Sequence, residues 1–585
     1  MGPSSSKFFS LLLLSIVIVL DTCRADLFTD IITGFEGATD CSSCQSVLLP
    51  PLQTLANQGD ANFTVTMTEV CEALQLADVE VCSGTFSRTG LILSHGLRGF
   101  SPNGTTAVKF CNAVFGLCQQ PPVTPFHVSF PKPAPSGTKF ISRGRPPFQV
   151  LHISDVHIDR FYTVGADGNC SESICCRDPV SNMSVPVAVS DPAGPFGNTN
   201  CDSPVSLSRS LLGAMNVIGI DAKFSIFTGD VVERATWSVD RSEVMSDLVD
   251  WNEEMTKLLD MPIYPALGNH DSAPVNSFPR KISATNPNIT SAQFVFDTQS
   301  AGWEGLIGQV AANQVEHDSG SYSVVHPGTN LRIISMNTQY WYIQNYWLYD
   351  TDEQIPDPNG LFAFLVYQLQ EAEEEGQRAW IIGHIPSGKA DFPHDQSNYY
   401  DQIIQRYKNT ISAQFAGHSH VDEFQIAYSD YNNQTAKTAD SVIFVGPALT
   451  PQSGNPAFKL YDIDPDTYEV LDAKVFMANI TDPTFQTSGP TWELYYSARD
   501  SYGPLVSAFT NTTLSPADPL NASFWHVLTE VFASNGTAFQ EWNTRKSRGG
   551  SVGSCTGSCV TNSVCDMRAA RSENNCVSSH FLCVF

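Results

Sequence analysis

Short apolar runs recur along the middle of the chain, and each ends on the same few kinds of polar residue. "FQVLHI" leads into Ser154, Asp155, Val156 and His157, "FSIF" into Thr228, Gly229 and Asp230, and "YPAL" into Gly268, Asn269 and His270. "AWII" leads into Gly383 and His384, and "AQFA" into Gly417, His418, Ser419 and His420. Runs of this length, closed by glycine or a small polar residue, predict buried strands. Asp155 and His157, two positions apart where a strand runs out, fall on one side of the chain. Any one of these clusters alone is ordinary turn chemistry. Their ordered repetition after strand-like runs is not explained that way, and open sheets keep their ligands beyond the carboxyl ends of strands. Read as ligands, Asp155, His157, Asp230, Asn269, His384, His418 and His420 supply hard oxygens and borderline nitrogens, which suit a pair of divalent metal ions such as zinc.

The flanking segments follow other patterns. Lys7 precedes the apolar stretch "FFSLLLLSIVIVL" and then "DTCRADL", the form of a secretory signal over residues 1–25, with cleavage expected near Cys23 to Ala25. No later segment holds about 18 uninterrupted apolar residues, so the mature chain is expected to be soluble, a retained signal anchor being the alternative. In "CQSVLLPPLQTLANQ" and "VTMTEVCEALQL" the apolar residues recur at mixed three and four spacing, which predicts amphipathic helices. The prolines between residues 123 and 147 predict an extended, semi-rigid linker. From about 481 to 585, segments such as "NASFWHVLTEVFASNG" predict a mainly helical extension without a catalytic role.

Composition narrows the setting. A chain of 585 residues with 42% hydrophobic content is long enough for two or three domains and too apolar to be largely disordered. A net charge of -28 excludes nucleic acid as an expected partner, because phosphate neutralisation needs clustered Lys and Arg. Acidic surroundings relieve that self-repulsion, and a secreted, lysosomal or vacuolar location fits. Glycosylation sequons at Asn62, Asn103, Asn169, Asn182, Asn288, Asn433, Asn479, Asn511, Asn521 and Asn535 agree with the secretory route. Besides Cys23, six cysteines lie between Cys41 and Cys118, four between Cys170 and Cys201, and five between Cys555 and Cys583. "CSSC" at Cys41 and Cys44 has the form of a redox or zinc motif, but secretion and the even count favour disulfides.

The first cysteine group and the helical pattern around it, over residues 37–122, resemble a saposin B domain. The resemblance implies Cys41–Cys118, Cys44–Cys111 and Cys71–Cys82 bridges. The apolar stripes are then either the core of a small helical domain or a face that opens to lipid, and the resemblance favours lipid. The motifs "YPALGNHDSAPVNSFPR", "IIGHIPSG", "SAQFAGHSHVDEFQIAY" and "YYSARDSYG" resemble the calcineurin-like metallophosphatases and, among them, the acid sphingomyelinase family.

That resemblance covers nearly all of the mature chain. It implies a multi-domain protein, an all-α saposin B domain followed by an α/β metallophosphatase domain over 148–480, a central β-sandwich flanked by helices, and the helical extension. It implies that Asp155, His157 and His420 hold one metal, that Asn269, His384 and His418 hold the other, and that Asp230 bridges them, with His270 as general acid. The expected activity is hydrolysis of sphingomyelin to ceramide and phosphocholine by a monomer acting at a membrane surface. The alternatives are a phosphodiesterase for nucleotides or another phosphosphingolipid, and a non-catalytic lipid binder. Further bridges implied are Cys170–Cys175, Cys176–Cys201, Cys555–Cys559 and Cys565–Cys576, which leaves Cys583 over.

The chain departs from its animal relatives in two places. Arg234 stands where they carry a histidine after the bridging aspartate. Arginine holds its proton but clamps phosphate oxygens, so Arg234 is expected to bind substrate, the alternative being a surface pair with Glu233 or Asp240. Trp341 and Ala390 stand where the relatives have two cysteines, and the joint loss points to a dispensable staple.

Overall fold

Six cysteines determine how the first helices close on one another. The structure, a computed structural model, describes residues 26–135, 140–177, 189–283, 291–452, 454–550 and 552–576. The signal segment, Asn182, Asn288 and Cys583 lie outside them. The three bridges implied for this region are all formed, Cys41–Cys118, Cys44–Cys111 and Cys71–Cys82. The helices they join are Leu49–Ala56, Asp60–Ala73, Val79–Gly99 and Thr105–Ala113. The Asp40 carboxylate accepts from the Ser43 N–H at 2.8 Å and starts the first turn. Cys44–Leu48 is wound as a wider π-helical turn before Pro50 and Pro51 open the next helix, where their missing N–H groups cost nothing. Leu52, Leu55, Phe63, Val70, Phe86, Leu97 and Phe110 fill the centre.

This unit is not contiguous in sequence. Residues 26–121 form one compact body with Tyr346–Gln354, a segment the sequence pattern assigns to the catalytic domain. Tyr349 meets Phe110 edge-on at 6.0 Å, the Thr106 hydroxyl donates to the Thr351 carbonyl at 2.9 Å, and the Ser101 N–H donates to Asp352 at 2.8 Å.

Among the described residues the second body holds twelve strands in two mixed sheets. Strands β1 (Phe148–Ile153), β2 (Ala222–Phe227) and β3 (Ile263–Pro265) are parallel neighbours, with β10 (Ala457–Ile463), β11 (Val470–Ala478) and β12 (Trp492–Ser497) added antiparallel beyond β1. In the other sheet β5 (Leu331–Ser335), β6 (Arg378–Ile382), β7 (Ile411–Ala416) and β9 (Ala439–Val445) are parallel. Antiparallel β4 (Tyr322–Val325) and β8 (Glu423–Tyr428) border that sheet. The sheets pack face to face through large rings, Phe224 of β2 on Trp380 of β6 at 5.6 Å and Phe415 of β7 on Tyr461 of β10 at 5.1 Å. This is the expected β-sandwich, and all five runs read as strands before the polar clusters are strands.

The proline-rich segment is docked rather than free. The Thr124 N–H donates to Asp395 at 2.7 Å and Phe126 lies on Tyr399 at 5.0 Å, both on helix His394–Tyr407. The C-terminal extension is helical over Phe485–Ser488, Ala498–Thr510, Ala522–Ser534, Gly536–Lys546 and Ser558–Met567, but between the first two of these it carries β12, which completes the first sheet. Trp525 then covers Phe424 of β8 at 4.3 Å, so the extension engages both sheets. The remaining implied bridges, Cys170–Cys175, Cys176–Cys201, Cys555–Cys559 and Cys565–Cys576, are formed as well. Where the relatives have a further bridge, Trp341 is fully buried, stacked on Phe362 at 4.6 Å and flanked by Tyr400 at 5.8 Å.

Cys44–Cys111 closes a loop with a sequence separation of 67, and Cys71–Cys82 one of 11. Cys41–Cys118 already ties the ends of the longer loop, so Cys44–Cys111 adds only a small ring and the two bridges have comparable chain-entropy value. Replacing Cys44 and Cys111 with Ala is therefore expected to lower the denaturant midpoint of the N-terminal unit about as much as the same change at Cys71 and Cys82, as followed by limited proteolysis of its helices.

Candidate active site

Parallel strands deliver their carboxyl ends to one edge of the sandwich, and the seven candidate ligands follow those ends. Asp155 and His157 follow β1, Asp230 follows β2, Asn269 follows β3, His384 follows β6, and His418 with His420 follow β7. Five of them lie on left-handed backbone, with φ of 50° at Asp155, 38° at His157, 64° at Asp230, 73° at His418 and 60° at His420. Each such residue costs on the order of 1 kcal/mol and persists only where its surroundings hold it. Two glycines make room for the turns. A side chain at Gly268 would run into Asp230, and one at Gly417 would run into Ser154 and Asp155.

All seven side chains converge. Single donor atoms of Asp155, His157, Asp230 and His420 lie within 4.8 Å of one another. A second group forms around Asn269 Oδ1, which stands 2.9 Å from His384 Nε2 and 3.1 Å from His418 Nδ1. Asp230 Oδ2 faces both groups, 3.4 Å from His157 Nε2 and 3.1 Å from His384 Nε2. Asp155, His157, Asp230 and His384 are inaccessible to water, while His418, His420 and His270 form the half-buried mouth.

The hydrogen bonds behind these rings determine which way the lone pairs point. His157 Nδ1 meets the Val232 carbonyl at 2.8 Å and His384 Nδ1 the Thr228 carbonyl at 2.7 Å. A carbonyl only accepts, so both Nδ1 atoms carry the hydrogen and both Nε2 atoms present lone pairs. His418 is turned the other way. Its Nε2–H donates to Asp391 at 2.8 Å, leaving Nδ1 to face Asn269 Oδ1. His157 Nε2 consequently looks at His420 Nε2 at 3.0 Å, and His384 Nε2 looks at two oxygens. Acceptors aimed at acceptors are favourable only around positive charge, and the donor set fits divalent cations.

Titration behaviour agrees. Burial lifts Asp155 to about 6. Burial opposes charge on His384, yet Asp230 and Asp155 together lift it to about 9. Burial works to raise Asp230 too, but the facing histidines, His384 first, hold it well below the carboxylate range. The centre draws in positive charge.

His270, next to Asn269, donates its backbone N–H to Asp230 at 2.8 Å, and its ring meets His157 edge-on at 4.8 Å. Burial pushes its pKa down to about 4. Arg234 does not pair with Glu233 or Asp240. Its guanidinium is held by fully buried Asp202, with Nε at 2.9 Å from Oδ1, and by Gln452. Glu233 takes Arg177 instead, at 2.7 Å, because its side chain turns away from the centre.

Several residues that hold the site were missed from sequence. Asp271 accepts from the backbone N–H groups of Gly268 and Val231 at 2.7 Å and of Asp230 at 3.2 Å, tying the loop after β2 to the loop after β3. It lies inside the "GNHD" motif, so the signal was present. Asp391 and Tyr342, whose ring meets His418 at 5.1 Å, gave none. Neither did Arg548 of the C-terminal extension, which is fully buried and donates to the carbonyls of Ala448, Thr450, Asn455 and Gln452. That carbonyl-lined loop runs under the centre, where the Leu449 and Thr450 N–H groups donate to the Ser154 and Asp155 carbonyls, each at 3.2 Å.

Two donor groups sharing one carboxylate, at the ends of parallel strands from facing sheets, define a metallophosphoesterase centre. Residues 148–422 match the calcineurin-like phosphoesterase family. Human sphingomyelin phosphodiesterase is 33% identical over 363 residues, 61% of this chain and 55% of the relative. Sphingomyelin phosphodiesterase B of Dictyostelium discoideum is 28% identical over 488 residues, 80% of this chain and 72% of the relative. Sphingomyelin phosphodiesterase 2 of Caenorhabditis elegans is 26% identical over 559 residues, 90% of this chain and 85% of the relative. The chain thus spans about half the length of the human relative it matches, and most of the nematode one. Over residues 148–422 the chain therefore carries a calcineurin-like phosphoesterase domain, and across more of its length it is similar to sphingomyelin phosphodiesterases.

Arg548→Met removes four hydrogen bonds and strands their carbonyls in the interior, at a cost of about 3 kcal/mol or more. The variant is expected to unfold at lower temperature and to lose metal on dialysis, with partial recovery in Arg548→Lys. Unchanged melting and metal content would show that the loop stands without it.

Proposed function

We propose that this chain hydrolyses sphingomyelin to ceramide and phosphocholine at a pair of zinc ions. The observation that supports this most directly is the convergence of imidazole lone pairs and carboxylate oxygens on two points that share Asp230 Oδ2. Asp155, His157 and His420 would hold one ion, Asn269, His384 and His418 the other, and Asp230, which faces both groups, would serve both. Bound there, the ions would supply a water of lowered pKa and positive charge against the phosphate oxygens. Asp391 keeps His418 in the tautomer that ligates, as Thr228 and Val232 do for His384 and His157. A water so activated would form the new bond to phosphorus as the bond to the ceramide oxygen breaks, and His270, which an adjacent phosphate charge helps to protonate, would give that oxygen its proton. Arg234, held in place by Asp202, adds a fixed positive charge for the phosphate.

The N-terminal unit is the lipid-handling part of this reading. Its helices expose Val47, Val65 and Val79 to 41, 49 and 66%. Exposed apolar side chains on amphipathic helices can insert at a membrane interface and draw a headgroup out of its neighbours. No helix among the described residues is long and apolar enough to cross a membrane. We place the protein, as a monomer, in the extracellular space or a lysosome-type or vacuolar compartment. Asn103, Asn169, Asn433, Asn479, Asn511, Asn521 and Asn535 are exposed and open to glycosylation, and Asn62 is half-buried.

Purified full-length protein is expected to carry two zinc ions by elemental analysis and to release phosphocholine from sphingomyelin liposomes, and Asp230→Asn to lose both properties. Turnover of a nucleotide diester with sphingomyelin untouched would overturn the substrate assignment. In His270→Gln the metals should stay while sphingomyelin cleavage slows by about 10²–10⁴, with far smaller loss on a substrate whose leaving group is acidic. Equal losses on both substrates would make His270 a support for Asn269 rather than the acid.

A further inference from the structure

A second group of carboxyls lies outside the imidazole centre. Glu233 follows β2, and Glu243 and Asp247 stand in the first two turns of helix Arg241–Leu258. One oxygen from each lies within 4.8 Å of the others. Glu233 is fully buried and Asp247 is 3% exposed. The cations facing them are already shared. Arg177 reaches Glu233 at 2.7 Å and Asp159 at 2.8 Å, and Arg160 reaches Asp247 at 2.9 Å and Asp250 at 3.4 Å. Five carboxyls against two guanidinium groups leave an excess of negative charge in a place with little water.

The independent sign of a ligand is at the atoms. Arg177 bonds only one Glu233 oxygen, Oε1, and the buried Oε2 has no hydrogen-bond partner, nor has Oε1 of Glu243. A buried carboxylate oxygen without a donor is costly, and native structures supply one or place an ion there. Burial pushes Glu233 up to about 9 and Asp247 to about 7, so without a cation Glu233 offsets its burial by holding a proton. The donors are carboxylate oxygens only, with no imidazole or thiolate, which suits calcium rather than zinc. Half-buried Glu243 leaves a way in.

We propose that Glu233, Glu243 and Asp247 form a calcium site, separate from the zinc centre, that fastens the loop bearing Asp230 and Arg234 to helix Arg241–Leu258. Its influence reaches the reacting groups through the Glu233 backbone, whose carbonyl lies 3.4 Å from His270 Nδ1. Full-length, zinc-loaded protein, freed of calcium by gel filtration, is titrated with calcium chloride at neutral pH by calorimetry and melted with and without the ion. One site and a rise in Tm of about 3 °C are expected. Glu243→Gln, at the half-exposed member, should weaken binding about tenfold or more and remove the rise while zinc content stays normal. Asp247→Asn gives the same comparison at a second ligand. Absence of calcium binding in the parent protein, or an undiminished Tm rise in both variants, overturns the proposal. A parent protein that ignores calcium but gains stability on acidification would mean that protons occupy the group instead.

Discussion

Asp230 carries a charge with no access to water, and much of the chain is arranged to keep that charge offset. Two imidazole nitrogens approach one of its oxygens and a backbone N–H takes the other. Those imidazoles turn Nε2 toward the centre because the Val232 and Thr228 carbonyls hold their Nδ1 atoms, and both carbonyls belong to the loop that also carries Asp230. Moving that loop would turn the rings and misdirect the lone pairs. A metal centre built this way depends on backbone placement at least as much as on the identity of its ligands.

The two sheets supply that placement. Asp155, Asp230 and Asn269 come from parallel strands of one sheet, and His384, His418 and His420 from parallel strands of the other. Rings packed between the sheets, Phe224 on Trp380 and Phe415 on Tyr461, hold the two edges in register. Against this frame the left-handed residues at five ligand positions are tolerable, because Asp271 and the loop over 448–455 tie their backbones from behind. The C-terminal extension takes part as well. Through β12 it completes one sheet, through Trp525 it covers the other, and through Arg548 it fills the space beneath the centre.

Differences from animal relatives have physical substitutes. Where they have a histidine, Arg234 is tied to Asp202 and Gln452, a fixed charge in place of a group that changes its proton. Where they have a disulfide, Trp341 is stacked among Phe362, Phe392 and Tyr400. Buried aromatic packing stabilises the native state through contacts, whereas a bridge also restricts the unfolded chain, so the two act on different ends of the folding equilibrium.

The sequence by itself determined the five strands that precede the polar clusters and the seven candidate ligands that follow them, because a short apolar run closed by glycine and a polar residue is a local signal that burial enforces on both faces. The three cysteine groups were legible as well, but their pairing followed from the resemblance to known families and not from spacing, and the structure forms those pairs. Tertiary structure alone decided what stands behind the ligands. Asp391, Asp202 and Arg548 are separated in sequence from the groups they hold, and nothing in their neighbours marks them. It also decided that Tyr346–Gln354 packs with the N-terminal helices, that the prolines lie along helix His394–Tyr407, and that Arg234 pairs with Asp202 rather than with nearby Glu233. Local pattern records which face of an element is buried, while the partner it is buried against is chosen only when distant segments meet.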